Sequence, residues 1–515
     1  MNLKNTHLAI WLAIFLWRPL AQAVLPGGID DANLRTAAVG AFPEFLEFLS
    51  LPNDSIRPED IQTNAAWLEK AFQKRGFKTQ QLENKGRPLV VAEYGPVNAT
   101  LKTVLFYIHF DGQPVIGTQW TQRNAWQPVV KRRNSDGNWV EVATSELIRQ
   151  DFDPELRVFA RSSSDDKGPI MMFLSSFDLL RSKSLLPAIN VKVILDSEEE
   201  INSPGISTLV PLNQALLKAD ALVILDAAAH PSGRPTAVFG NRGSTPITLT
   251  LYGPRSPLHS GHYGNYAPNP AQRLANLLAS MKGDDGRVKV AGYYAKNRLT
   301  SADLKVLRES GDDEVALRKR IGIKEADRVG KSYQEALQYP SLNVRGMAAA
   351  NVGDKVAGVI PSQAVAEIDL RTTVEANSAY LLGLVRQHIQ QQGYHLVDGE
   401  PTEEERAAYA KLAQIKVGVT AEAERQPIES PIGRWVTAGL SSAYDEPGKT
   451  LKPVRLRMMG ATVPTHKIVG PLKVPFVLVP VVNPDNNQHS FDENLRMGNF
   501  LTGMRSMLGL LTTAY

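Results

Sequence analysis

With no cysteine among its 515 residues, this chain can hold a metal only through His, Asp and Glu. Thiolate zinc sites, disulfides and a cysteine nucleophile are excluded together. Short clusters carry the candidate groups. They are His109 and Asp111 in His109-Phe110-Asp111-Gly112, Asp165 and Asp166 ahead of Lys167-Gly168, Asp196 through Glu200, Asp226, and His489 in an Asn-rich loop. Each has an ordinary use on its own. An Asp before a helix caps it, a Glu run is commonly a solvated face, and His109, Asp226 or His489 can end a strand, close a turn or lie on the surface. Taken together they supply two imidazoles and several carboxylates without sulfur, a donor set suited to Zn2+ and compatible with Co2+ or Mn2+.

What groups them is the pattern of the elements before them. Apolar runs at Val90-Val91-Ala92, Val104 to Ile108, Val191 to Leu195, Ala221 to Leu225 and Val474 to Val482 read as strands buried on both faces. Helical faces lie among them. Ile61, Ala65, Leu68 and Phe72 follow Pro58 and end before Gly76, and Ile170, Phe173, Leu174, Phe177 and Leu180 form a second face. Every cluster stands just past a strand or at the approach to a helix, and ligands of open parallel sheets bind outside the carboxyl ends of the strands. The middle of the chain has a different rhythm. Ile247 to Leu251 alternates with period two, a helix is expected from Asn269 to Met281, and a second alternating strand runs through Ala364, Ala366, Ile368 and Leu370. A helix from Ser378 follows, stopping at Gly393. The expected fold is α/β, a mostly parallel, doubly wound catalytic domain carrying an inserted α+β domain of the split ferredoxin-like kind. Its parts span residues 24–240, 241–400 and 401–515, with the catalytic pattern resuming near Pro427.

Composition removes other classes. The chain is 43% hydrophobic and 21% charged, so it is neither disordered throughout nor a polytopic membrane protein. Its formal charge, 57 − 53 = +4, with no basic block, argues against a nucleic-acid partner. Residues 1–23 read as a secretory signal: Lys4 leads, Leu8 to Trp17 is apolar, Arg18 ends the run, and Ala21-Gln22-Ala23 offers a cleavage site. The expected location is therefore periplasmic or secreted, without stable membrane insertion after cleavage. A retained anchor is the competing reading.

Six motifs in order now stand out: HFDGQP from His109, ARSSSDDKG from Ala160, DSEEEINSPG from Asp196, ILDA around Asp226, PLHSGHYG from Pro257 and NQHS around His489. Over nearly the whole mature chain the sequence resembles the dinuclear zinc hydrolases that include carnosine dipeptidases, acetylornithine deacetylase, succinyl-diaminopimelate desuccinylase and aminoacylase. The segment before Ser341-Leu342-Asn343 and the string VIPSQAVAEIDLR are most similar to the carnosine dipeptidase branch. The pattern departs at Ala160 and Ser162, where glycines are usual, and at Asn202, where a glycine is common. An arginine expected just before the turn at Gly460 is out of register, leaving Arg455 or Arg457.

The resemblance implies two Zn2+ per subunit, with Mn2+ or Co2+ as substitutes. It assigns His109, Asp165 and Asp226 to one metal and Asp165, Glu200 and His489 to the other. It also implies that Glu199 is the general base, although spacing alone does not choose among Glu198, Glu199 and Glu200. Asp111 would orient the His109 ring. His259, in preference to His262, would reach a partner subunit's site in a homodimer, and Arg371, Asn343 and Gly460 would meet the substrate. The implied activity is hydrolysis of dipeptides or short peptides. Deacylation of N-acyl amino acids and a metal-holding binding protein without catalysis are the alternatives, and the presence of Glu199 argues against the last.

Overall fold

The computed structural model describes residues 25, 28–117, 119–444 and 451–515. The expected signal segment, residues 1–23, lies outside them. Among the described residues no helix is long and apolar enough to cross a membrane.

The larger sheet has eight strands, in the order Phe77–Leu82, Leu89–Tyr94, Asn190–Asp196, Thr103–His109, Ala221–Ile224, Phe476–Leu478, Thr236–Val238 and Val454–Leu456. The four central strands are parallel. Antiparallel pairing enters on both sides of them, through Phe77–Leu82 with Leu89–Tyr94 and Leu89–Tyr94 with Asn190–Asp196, and through Phe476–Leu478 with Thr236–Val238. Alternation along Thr103–His109 shows why the apolar run is continuous. Val104, Phe106 and Ile108 enter a core covered by the helices Asp31–Ser50, Lys167–Ser182, Pro431–Ser442 and Met497–Thr512. Leu105 and Tyr107 enter a second core beneath Pro204–Leu212 and Thr465–Leu472. A strand covered on both faces needs apolar residues at every position.

The insert is a five-stranded sheet ordered Ser341–Ala348, Gln363–Thr372, Gly243–Tyr252, Leu412–Val417 and His395–Leu396. Its inward residues, including Ile247, Leu249, Leu251, Ile368 and Leu370, pack against the helices Pro270–Met281 and Ser378–Gln391. The strand Leu412–Val417 pairs with Gly243–Tyr252, so the insert continues past the boundary expected at residue 400. The chain leaves and re-enters the catalytic body side by side, Gly240–Asn241 pairing with Glu424–Arg425. Gln414 and Lys416 interrupt its apolar residues and only Leu412 and Ala413 are buried, so no continuous apolar run marks it as a strand in the sequence.

A four-stranded sheet was not foreseen. It joins Asn494–Arg496, Arg157–Phe159, Val129–Arg133 and Trp139–Val142. Two of its strands lead directly into or out of the chemistry: Arg157–Phe159 precedes Asp165, and Asn494–Arg496 follows His489.

The helix beginning at Lys167 is fixed at its start by a buried cation. Lys167 donates from Nζ to the carbonyls of Phe48 (2.8 Å) and Leu51 (2.6 Å), and the ammonium lies 4.5 Å from the centre of the Phe48 ring. These carbonyls end the helix Asp31–Ser50, where the negative end of the helix dipole favours a cation. Burial pulls the ammonium well below the usual lysine range. Lys167→Met fills the space but leaves both carbonyls without their donor. It should cost about 2–3 kcal/mol, read as a lower denaturant midpoint at an unchanged m-value.

Candidate active site

Strand geometry brings the candidates together. His109 ends the strand Thr103–His109 and is the Cα partner of Asp196, the last residue of Asn190–Asp196. Asp226 stands two residues past Ala221–Ile224. Beyond these ends, His109 Nε2 lies 2.8 Å from Asp165 Oδ1, and Asp165 Oδ2 lies 3.1 Å from His489 Nε2. His489 Nε2 is also 3.3 Å from Glu200 Oε2. Asp165 therefore stands between the two imidazoles, one oxygen toward each.

Two groups of three among these side chains are close enough to hold a cation. His109, Asp165 and Asp166 form one, and Asp165, Glu200 and His489 the other, each with its ligand atoms within 4.8 Å of one another. The second matches the expected set. In the first, Asp166 stands with His109 and Asp165, while Asp226 is buried beside them without joining either group. Its carboxyl is nevertheless part of the same field, pushed up to about 6 by burial and the charge of Asp165.

The electrostatics fit a cation. Burial, followed by neighbouring carboxylates, holds Glu199 well above the ordinary range and moves Glu200 up to about 8. Burial also raises Asp166, whose Oδ2 is enclosed without a hydrogen-bond partner. His489 rises to about 9 through its bond to Asp165. At Asp165 the bonds to His109 and His489 outweigh burial and keep the carboxyl low. The protein alone must neutralise this cluster with protons, and a divalent cation displaces them because it binds carboxylate and neutral imidazole. Buried acids with an orphaned oxygen, two imidazoles and no sulfur fit a zinc-type centre.

Other carboxylates have their lone pairs filled by the protein. Asp111 accepts the N–H groups of Glu199 and Glu200, each at 3.0 Å, and its Oδ1 is 3.3 Å from His109 Nδ1. One carboxylate thus orients the imidazole and holds the Glu199-Glu200 backbone. Glu198 turns the other way, accepting from Gly205 N–H at 2.7 Å and Asn84 Nδ2 at 2.8 Å, so it anchors the next helix. Glu493 was missed by the sequence reading. It is fully buried and accepts from the N–H groups of Ser162, Ser164 and Asp165 and from Arg161 Nη1, all at 2.9–3.0 Å. Gln113 was also missed, and it donates to Glu200 Oε2 at 2.6 Å. An acid four residues past His489 is the only trace Glu493 leaves in the sequence. The departures from the family pattern are accommodated. Asn202 takes a left-handed conformation with φ of 70°, which Asn tolerates, and the Ser162 hydroxyl bonds Asn53. Gly112 is constrained: a Cβ there would collide with Ser162 Oγ.

The substrate-side candidates lie on the insert and the loop that meets it. Arg371 donates from Nη1 to Thr462 Oγ1 at 2.9 Å, two residues beyond Gly460. Asn343 is the Cα partner of Asp369, so it shares a sheet face with Arg371. Arg455 pairs with Glu429 and Glu309, and Arg457 with Asp303, which leaves neither open. His259 is exposed, its Nδ1 accepting from Gly261 N–H at 3.0 Å and its ring 4.5 Å from that of His262. It makes no contact with the carboxylate–imidazole cluster of its own chain.

The sequence profile of peptidase family M20/M25/M40 matches residues 105–513, a span that contains this cluster from end to end. The chain belongs to that family. It is a metallopeptidase. The chain is 23% identical over 483 residues to the Cys-Gly metallodipeptidase dug1 of Schizosaccharomyces pombe, covering 89% of this chain and 92% of that one. It is 21% identical over 491 residues to the Beta-Ala-His dipeptidase of Mus musculus, covering 89% of each. Among solved structures it is similar to an M20 family metallo-carboxypeptidase, Sso-CP2 from Sulfolobus solfataricus, with a TM-score of 0.72, 25% identity, and coverage of 92% and 98%.

Because Asp111 acts on both His109 and the Glu199-Glu200 backbone, Asp111→Asn should lower metal affinity about 10- to 100-fold. Chelator competition followed by elemental analysis reads this directly, and an unchanged affinity would show that neither contact matters.

Proposed function

We propose that this metallopeptidase hydrolyses the amide bond of dipeptides or short peptides with a pair of divalent ions, Zn2+ by preference. The observation that carries this reading is the Asp165 carboxylate, divided between His109 and His489. His109, Asp165 and Asp226, with Asp166 beside them, would hold one ion, and Asp165, Glu200 and His489 the other. Such a pair supplies Lewis acidity toward the scissile carbonyl and lowers the pKa of the attacking water.

The chain's own residues do the rest. Glu199, raised by burial among other acids, suits a general base that accepts a proton from water and returns it to the leaving amine. Its backbone is held by Asp111, so the carboxylate works from a fixed position. Gln113 steadies Glu200. Arg371 presents a guanidinium to the free C-terminal carboxylate of the substrate, with Asn343 on the same sheet face and Gly460 in the facing loop. The names and coverage of the relatives support a dipeptide over an N-acyl amino acid.

A homodimer is part of the proposal. Among the described residues the strand Ser341–Ala348 pairs on one side only, with Met347 and Val344 exposed along it, the kind of edge a second chain covers. His259, on the same insert and away from its own cluster, would serve the partner's site by stabilising the developing oxyanion. Export follows from the pattern in residues 1–23, and N-terminal sequencing of the mature protein tests cleavage after Ala23.

Three outcomes are expected. Chelation should abolish hydrolysis of a dipeptide panel, and added Zn2+ or Mn2+ should restore it. Hydrolysis of N-acyl amino acids alone would replace the peptidase reading with a deacylase one. Glu199→Gln should cut kcat at least about 10²-fold with both ions retained; loss of an ion with activity preserved would exchange the roles of Glu199 and Glu200. Finally, His259→Ala and Asp165→Asn homodimers should each be nearly inactive, and verified mixed dimers should regain one intact composite site. An active monomer, or mixed dimers without recovery, would overturn the shared site and leave His259 acting within its own chain.

A further inference from the structure

The insert meets the catalytic body at a second concentration of charge, and it is positive. Arg242 stands at the crossing into the insert, two residues before Ser244, which is the Cα partner of Arg371. Strand parity puts Ser244, Asp369 and Arg371 on one face, and the Ser244 hydroxyl donates to Asp369 Oδ1 at 2.8 Å while Arg371 Nε donates to Asp369 Oδ2 at 2.6 Å. Thr462 ties the two arginines together. Its hydroxyl donates to the Arg242 carbonyl at 2.8 Å and accepts from Arg371 Nη1 at 2.9 Å.

Arg242 is only 7% exposed, yet among the described residues no carboxylate pairs with it. Nη2 donates to the Tyr339 carbonyl at 2.8 Å, and Nε is enclosed without a partner. Burial and the charge of Arg371 pull its guanidinium down to about 10, so it remains a cation at neutral pH, unfavourably placed. The local sum is two guanidiniums against one carboxylate, Asp369. A buried cation is ordinarily paired, and an unpaired Arg242 beside the Arg371–Asp369 pair leaves room for a second anion. A carboxylate is the anion that a peptide C-terminus brings, and two planar guanidiniums hold it better than one.

We propose that Arg242 is the second guanidinium of the substrate-carboxylate site, closing with Arg371 on the free C-terminus of the peptide. This rests on the assignment of Arg371 to that carboxylate, and the two are separable by experiment. The substrate is the best-cleaved dipeptide of the panel, compared with its C-terminal amide, which has no charge for either arginine to recognise. Arg242→Met should raise KM for the free acid about tenfold or more, leave KM for the amide within about twofold, and keep kcat and metal content near those of the parent enzyme. Arg371→Met should show the same selective loss.

If Arg371→Met discriminates between acid and amide while Arg242→Met affects both equally or neither, the Arg242 proposal is overturned and the Arg371 assignment stands. If neither variant discriminates, both fall. Should Arg242→Met not be recovered folded, Arg242→Lys decides, since it keeps the charge and loses the planar fork. A raised KM for the acid alone supports the proposal, and an unchanged one overturns it.

Discussion

The structure is organised around a cluster of buried carboxylates at the strand ends. Removing a charge from water costs several kcal/mol unless the protein or an ion repays it, and this chain divides its acids by how that repayment is made. Asp111 and Glu493 have their oxygens filled by backbone N–H groups, and Glu198 by Gly205 and Asn84. They are finished interactions, and they hold loops in place. Asp165, Asp166, Glu199, Glu200 and Asp226 rest mainly on imidazoles, protons and each other, with one side-chain amide each from Gln113 to Glu200 and from Gln488 to Asp165. These are the groups free to bind and react, and the finished set exists to hold them where they are.

The same division explains what the sequence disclosed and what it concealed. The strand ends were legible because a strand buried on both faces is apolar throughout, so His109, Asp196 and Asp226 mark themselves by ending such runs. The choice among three successive glutamates was carried by family resemblance alone, and geometry now separates Glu198, which is turned toward Gly205. Glu493 was illegible for a different reason. It acts on Ser162, Ser164 and Asp165 across more than 320 residues of sequence, and no local pattern records such a contact. The four-stranded sheet that brings those segments together is built from strands of three to five residues, several of them rich in arginine, which carry neither a helical nor an alternating signature. The late boundary of the insert has a similar cause, since Gln414 and Lys416 break up the apolar residues of Leu412–Val417 and its pairing with Gly243–Tyr252 is a contact across more than 150 residues of sequence.

The two halves of the site obey opposite electrostatics. At the catalytic strand ends acids outnumber cations, while at the insert Arg371 pairs with Asp369 and the buried Arg242 pairs with no carboxylate among the described residues. A peptide substrate is polar in the matching sense, with a carboxylate at one end and, farther in, a carbonyl to be polarised. With the proposed arginine site, complementarity of this kind would fix the direction in which the peptide lies before any side chain is read.

That direction is only useful if the two halves keep their register, and the crossing between them is built for this. Gly240–Asn241 and Glu424–Arg425 run side by side, so the insert is held by two paired strands in place of a single flexible link. At Gly243 a Cβ would collide with Thr372 Oγ1 and with the carbonyl of Ala421, so the absence of a side chain is what lets the outgoing and returning chains approach. The loop carrying Gly460 and Thr462 then closes on the same point, through Arg242 N–H to the Met459 carbonyl and Thr462 to the Arg242 carbonyl. Any rotation of the insert about this crossing must carry Arg371 and Thr462 with it or break the bond between them. Under the proposed assignment, a substrate carboxylate held by Arg371 would therefore be coupled mechanically to the angle at which the insert meets the catalytic body, and the same contact would set how the peptide meets Glu199.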